Sequence, residues 1–207
     1  MISLLFRILC SAITPRPIAW ISTVDEDGIN NVAPLSFFMP VTSDPPTLAL
    51  SLTTKKSGRW KDTLRNIICT REFVVNHVTT GAFAQMYETS KEFDPEIDEF
   101  SVAKLTPMPS DQVAAPRIME SPIQLECKLL NLIPVGDSTK YGSSTVVIGK
   151  ILITHLQDSL VNEHADGSVT IHDLSLETVA RMGGLEYGTI GTRWNVEQDK
   201  NWNENHW

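Results

Sequence analysis

The chain has 207 residues, 42% of them hydrophobic and 20% charged, and a formal net charge of -8. That length suits one domain with its own core, and that composition excludes disorder. The excess of acid disfavours a nucleic-acid partner, although a few local cations can still hold a single phosphate. From the N-terminus, the run Met1 to Ile13 is apolar but too short to span a bilayer. Arg7 interrupts it and Pro15-Arg16-Pro17 closes it, so it reads as a short amphipathic element packed on the core. No later segment is apolar enough to cross a membrane, which points to the cytoplasm. The three cysteines, Cys10, Cys69 and Cys127, are far apart and form no C-x-x-C pair. They read as small buried hydrophobes in a reducing compartment.

Ile18 to Val24 is rich in β-branched and aromatic residues and ends at Asp25-Glu26-Asp27-Gly28, a hairpin signal with a return strand from Ile29 to Leu35. Pro45-Pro46 then punctuates the chain before an alternating strand, Thr47 to Thr53. Beyond it, Leu64, Ile67 and Ile68 fall at helical spacing, with Ser57 and Asp62 as candidate N-caps. Glu72 to Val78 predicts a strand, and Thr79 to Thr89 a helix. Residues 90–122 are polar, acidic and rich in proline, as expected of a long surface excursion with one helical turn. Its Asp98-Glu99 pair reads as solvated carboxylates. Two long alternating strands follow, Gln124 to Leu129 and Thr145 to His155. Leu174 to Met182 predicts a helix ended by Gly183-Gly184, and residues 191–207 a loose, partner-contacting tail. Many strands separated by turns, with few helices, predict a mainly β fold of the barrel type in a single domain spanning 1–207, with its core at about 15–190.

Two segments carry chemistry. The strand end Ser51-Leu52-Thr53-Thr54 runs into Lys55-Lys56-Ser57-Gly58-Arg59 and then Lys61-Asp62-Thr63 at a helix start. Hydroxyls, free amides, four cations and a helix dipole are what a phosphate needs, although an ordinary basic loop has the same composition. In Asn31-Val32-Ala33-Pro34-Leu35-Ser36-Phe37-Phe38, Pro34 is expected to end the strand ladder and leave backbone groups for a flat heteroaromatic ring. Two core phenylalanines at a strand end are the plainer alternative. No Walker loop, dinucleotide-binding glycine motif, zinc-protease helix or nucleophile elbow occurs. Of the five histidines, His155 is placed at a strand end where it could meet a cofactor; the others read as structural.

On these stretches the chain resembles the flavin-reductase-like, FMN-binding split-barrel family, which includes flavoredoxin-type proteins. The matching stretches are PRPIAWISTVDEDGINNVAPLSFF, DPPTLALSL, KDTLRNI, TREFVVNHV, IDEFSVAKLTP, APRIMESPIQLECKLL, TVVIGKI and RMGGLEYG, in the family's order from Pro15 to about Gly188. The resemblance implies a homodimer with FMN held noncovalently near the subunit interface. It places Asn31, Ala33, Pro34, Leu35 and Ser36 along the isoalloxazine ring. Ser51, Thr53, Thr54 and Lys55 would take the phosphate, with Lys61, Asp62 and Thr63 at the helix start and Tyr187 reaching toward the partner's cofactor. Asp62 would cap the helix or hold Lys61. Leu35, where the family commonly has Phe, and the stretch Thr53 to Lys56 depart from its pattern. The implied activity passes electrons from NADH or NADPH through FMN to free flavin or another small acceptor. An electron carrier of the flavoredoxin kind, a flavoprotein oxygenase and an FMN-binding protein without turnover are the alternatives.

Overall fold

A computed structural model describes residues 4–171 and 176–192. Helix α1 (Leu4–Ala12) leads into β1 (Arg16–Pro17), the hairpin β2 (Ala19–Val24) and β3 (Asn30–Leu35), and a second hairpin, β4 (Phe38–Ser43) and β5 (Pro46–Thr53). Helix α2 (Asp62–Thr70) precedes β6 (Glu72–Asn76). The excursion that follows carries α3 (Phe83–Glu88), α4 (Glu99–Ala103) and the short pair β7 (Pro107–Met108) and β8 (Arg117–Ile118). Two long strands, β9 (Ile123–Val135) and β10 (Ser144–Leu156), are followed by the small hairpins β11 (Val161–Glu163) with β12 (Val169–Ile171) and β13 (Val179–Arg181) with β14 (Tyr187–Thr189).

Seven strands form one antiparallel sheet in the order β3-β2-β6-β9-β10-β5-β4. The turn between β2 and β3 forms as its residues demand. Asp25 Oδ1 accepts from the Asp27 and Ile29 N–H groups at 3.0 and 2.8 Å, and Gly28 takes φ +84°. One face of the sheet buries Ile21, Leu50, Leu52, Phe73 and Val147 under Leu64 and Ile67 of α2. The other buries Trp20, Val32 and Ile118 under Met86 of α3 and Phe100 of α4. Trp20 is fully buried and donates its indole N–H to Thr89 Oγ1 at 2.9 Å, which removes the cost of an orphan donor. Gly149 is required by packing, because a Cβ there would stand 2.4 Å from Cζ of Phe73.

The sheet's two edges, β3 and β4, are consecutive in the chain. No ladder joins them among the described residues, yet β3 comes into contact with β5. The strands therefore curl toward closure and stop, leaving a seam beside the point where the Ser51 N–H, donating to the Phe37 carbonyl at 2.9 Å, extends the β4–β5 ladder. This is the mainly β split barrel expected from the sequence.

Several expectations need correction. Helix α1 is not packed on the core: none of its residues is buried, and Leu4 and Leu5 are each 75% exposed. Cys127 is buried, but Cys69 is exposed and Cys10 only half-buried. Pro34 does not end the ladder. It pairs with Trp20, and the strand runs on to Leu35, as proline is tolerated where the missing N–H faces away from the neighbour on an edge. Where a helix is expected over 174–182, Val179–Arg181 is a strand pairing with β1 and β14; residues 172–175 lie outside the described residues. Of the expected tail, residues 193–207 also lie outside them. Among the described residues no helix is long and apolar enough to cross a membrane.

Candidate functional site

A cavity of about 770 Å³ opens at the seam. Pro34 and Leu35 of β3, the connecting Ser36 and Phe37, and Ser51 and Thr53 of β5 form its floor, and Lys61 stands at the entry to α2. Arg181, Gly184 and Leu185 of the β13–β14 hairpin and Phe6, Arg7, Cys10 and Ser11 of α1 close the other sides. An open edge strand under such a space presents unpaired backbone donors and acceptors, which a flat polar-edged ring can use.

Arg16 assembles these walls. It is buried, and its guanidinium donates to the Met182 carbonyl at 2.9 Å, the Ile13 carbonyl at 2.8 Å, the Cys10 carbonyl, and Ser36 Oγ at 3.4 Å. One planar fork thus joins α1, the hairpin and the β3–β4 link, a geometry lysine could not supply. Gly183 permits the closest approach, since a Cβ there would lie 2.8 Å from Ser11 Oγ.

A crevice of about 60 Å³ shares Pro34 and Lys61 with the large cavity and adds Asn31, Ala33, Lys55, Asp62, Thr63 and Glu99. Asn31 is buried and fully engaged. Its amide N–H donates to Glu99 Oε1 at 2.7 Å, and its carbonyl accepts from Thr63 Oγ1 at 2.8 Å and Thr23 Oγ1 at 3.4 Å. It ties β3 to α2 and α4 instead of presenting its side chain to a ligand. Glu99, 7% exposed, also accepts from the Val32 N–H at 3.2 Å. Burial pushes its carboxyl up to about 7 against these hydrogen bonds, with nearby Asp62 adding to the rise. The solvated reading of Asp98-Glu99 is therefore overturned. Asp98 caps α4 by accepting from the Phe100 N–H at 2.8 Å, and Glu99 turns inward.

The helix start also differs from expectation. Lys61, not Ser57 or Asp62, is the N-cap residue of α2, and no side chain caps it. Asp62 opens the helix proper and binds Lys55 Nζ at 2.6 Å and Arg65 Nη1 at 3.0 Å, not Lys61. The Lys61 carbonyl accepts from the Arg65 N–H at 3.1 Å, while its ammonium is left without a hydrogen bond or ion pair among the described residues. Burial lowers its pKa, Glu92 partly opposes this, and Lys55 adds to it.

Of the expected site residues, Pro34, Leu35, Ser36, Ser51, Thr53 and Lys61 meet around the large cavity, and Asn31, Ala33, Lys55, Asp62 and Thr63 line the crevice. Thr54 and Tyr187 line neither. Thr54 Oγ1 lies 3.1 Å from Ser143 Oγ and 3.3 Å from the Ser138 carbonyl, and Tyr187 packs edge-on against Phe83 with Arg181 4.3 Å above its ring. His155 does not face either space: its Nε2 lies 2.6 Å from Glu126 Oε1. Arg16 and Glu99 were not among the expected site residues. Only the Asp98 capping signal ahead of a helical turn hinted that Glu99 has an ordered place.

Residues 11–171 match the family model described as "Flavin reductase like domain". The chain belongs to that family. A protein of Aquifex aeolicus is 38% identical over 88% of each chain. Nitrilotriacetate monooxygenase component B from Bacillus cereus is 32% identical and superposes with a TM-score of 0.84 over 92% of both chains. The 2-nitrobenzoate 2-nitroreductase of Pseudomonas fluorescens is 26% identical, with a TM-score of 0.81 over 96% of this chain and 92% of that one. The chain is thus a flavin-linked oxidoreductase in its family and fold. The seam cavity suits a flavin: its volume lies within the range of small-molecule sites, and the half-buried Lys61 ammonium at its edge makes no hydrogen bond or ion pair among the described residues.

Proposed function

We propose that the chain binds FMN in the seam cavity and passes electrons from NADH or NADPH through it to free flavin or another small acceptor. Lys61 carries this reading: its ammonium is taken partly out of water, with Glu92 near but no hydrogen bond or ion pair among the described residues, and a ligand anion would offset that cost. A phosphate placed there would also meet the positive end of α2 and the Ser51 and Thr53 hydroxyls. When bound, FMN supplies the hydride and electron chemistry. The protein's part is to hold and orient. Pro34 to Ser36 offer an edge of backbone to the ring, Arg16 fixes the walls, and Phe6, Phe37 and Leu185 reduce access of water.

The chain would act as a single domain in the cytoplasm, on small molecules and without nucleic acid. Phe6 of α1 and Leu185, both exposed apolar residues, line the cavity, and further exposed apolar side chains lie on α1 and at Met39 and Val41 of β4; a second copy of the chain would cover such surface in a homodimer. Component B is named as one part of a monooxygenase, and by extension the acceptor here would be a flavin used by a separate oxygenase. The test is anaerobic addition of NADH or NADPH to the FMN-loaded protein. Loss of the oxidised-flavin absorbance with at least one nucleotide is expected, and a spectrum unchanged by both would contradict the reductase reading.

A further inference from the structure

A second cavity, of about 320 Å³, shares Lys55 and Asp62 with the crevice, which in turn shares Lys61 and Pro34 with the large cavity. The three spaces follow one another past the start of α2. The outer one is chemically unlike the seam cavity. Its wall carries Trp60, 44% exposed, whose indole makes no ring contact or hydrogen bond among the described residues. Beside it stands Arg59, whose guanidinium has no partner among them either. Lys55 and Arg65 share the single carboxylate of Asp62, so the cavity retains a positive surplus. The loop under Arg59 is held in shape by Gly58, at φ +77°, where a Cβ would stand 2.7 Å from the Thr139 carbonyl.

A bare indole beside uncompensated guanidinium charge matches a flat purine joined to a phosphate, the indole stacking on the base and the cations taking the phosphate. We infer that this outer cavity is a subsite for the adenosine phosphate half of a dinucleotide, whose other half reaches the seam through the Lys55–Lys61 neck. Two dinucleotides carry that half: FAD, which would run continuously from ring to adenine, and the nicotinamide dinucleotide, which would arrive beside bound FMN. The inference rests on the flavin reading only for the choice between them, since the adenylate alone can be tested without any flavin.

The first experiment titrates the protein with AMP and follows tryptophan fluorescence. A saturable change with half-saturation at or below about 1 mM, lost in Trp60→Ala and weakened in Arg59→Ala, is expected. The second compares FMN with FAD. Binding of FAD about tenfold or more tighter than FMN, with the advantage erased by Trp60→Ala and FMN affinity unchanged, assigns the site to FAD. Equal flavin affinities with a raised KM for the nicotinamide dinucleotide in Trp60→Ala, at unchanged kcat, assign it to that co-substrate. No response to AMP, with neither flavin preference nor KM altered in the variants, overturns the inference. A protein that binds AMP but not FMN would refute the flavin reading and leave the adenylate site standing.

Discussion

Glu99 beside the crevice and Glu126 on β9 are both buried, yet their carboxyls are driven in opposite directions. Burial pushes each upward. At Glu126 the Asp111 and Gln112 N–H groups, at 2.8 and 2.6 Å, and His155 at 2.6 Å outweigh it and hold the carboxyl below its ordinary range. At Glu99 its own backbone N–H, the Val32 N–H and the Asn31 amide do not suffice against burial and the nearby Asp62, and the carboxyl rises to about 7. Each carboxylate meets donors, and the neighbouring charge separates them: His155 lowers Glu126, whereas Asp62 raises Glu99. Glu126 pins a loop, here residues 111–112. Glu99 sits one residue contact away from the proposed flavin wall, through Asn31.

The largest effect is expected where the pin is pulled. Glu126→Ala leaves the Asp111 and Gln112 N–H groups and the His155 imidazole without their buried acceptor and should cost about 3–5 kcal/mol in urea unfolding, with little change in FMN affinity of the folded protein. A loss no greater than that of an exposed glutamate would break the contrast. Glu99 should show itself through pH. Its folded-state pKa lies above the ordinary value of 4.5, so the folded protein binds the extra proton between about 4.5 and 7. Its contribution is present at the acid end of that window and is lost as pH rises through it, by up to about 3 kcal/mol. Glu99→Gln should flatten that fall, gaining on the wild type as the pH passes 7. Parallel stability curves for the two proteins would show that the carboxyl is not shifted.

Much of the fold was legible because local chemistry and tertiary structure agree. The Asp25–Gly28 turn, the alternation of β9 and β10, and the helical spacing of Leu64 and Ile67 each announce the element that forms. The misses are elements defined by distant partners. Strand β4 contains Pro40 and takes its identity from pairing with β5, and Val179–Arg181 is a strand because Arg16 and Pro17 lie beside it, some 160 residues earlier. Similarly, Pro34 to Ser36 and Lys61 could be nominated from hydroxyls, cations and a helix start. Arg16 could not, since its role consists of carbonyls brought together only by folding. Glu99 was misjudged because nothing in an acidic, proline-rich stretch indicates which carboxylate turns inward.

The account depends most on the charge of Lys61, and titrating FMN into the Lys61→Ala protein tests it directly, with Lys150→Ala, an exposed lysine of β10 that lines neither the seam cavity nor the crevice, as the control. Loss of one charge-assisted contact, worth about 1.5–3 kcal/mol, should weaken FMN binding by about ten- to a hundredfold while Lys150→Ala leaves it unchanged. Equal dissociation constants for the two variants would contradict a phosphate at the start of α2.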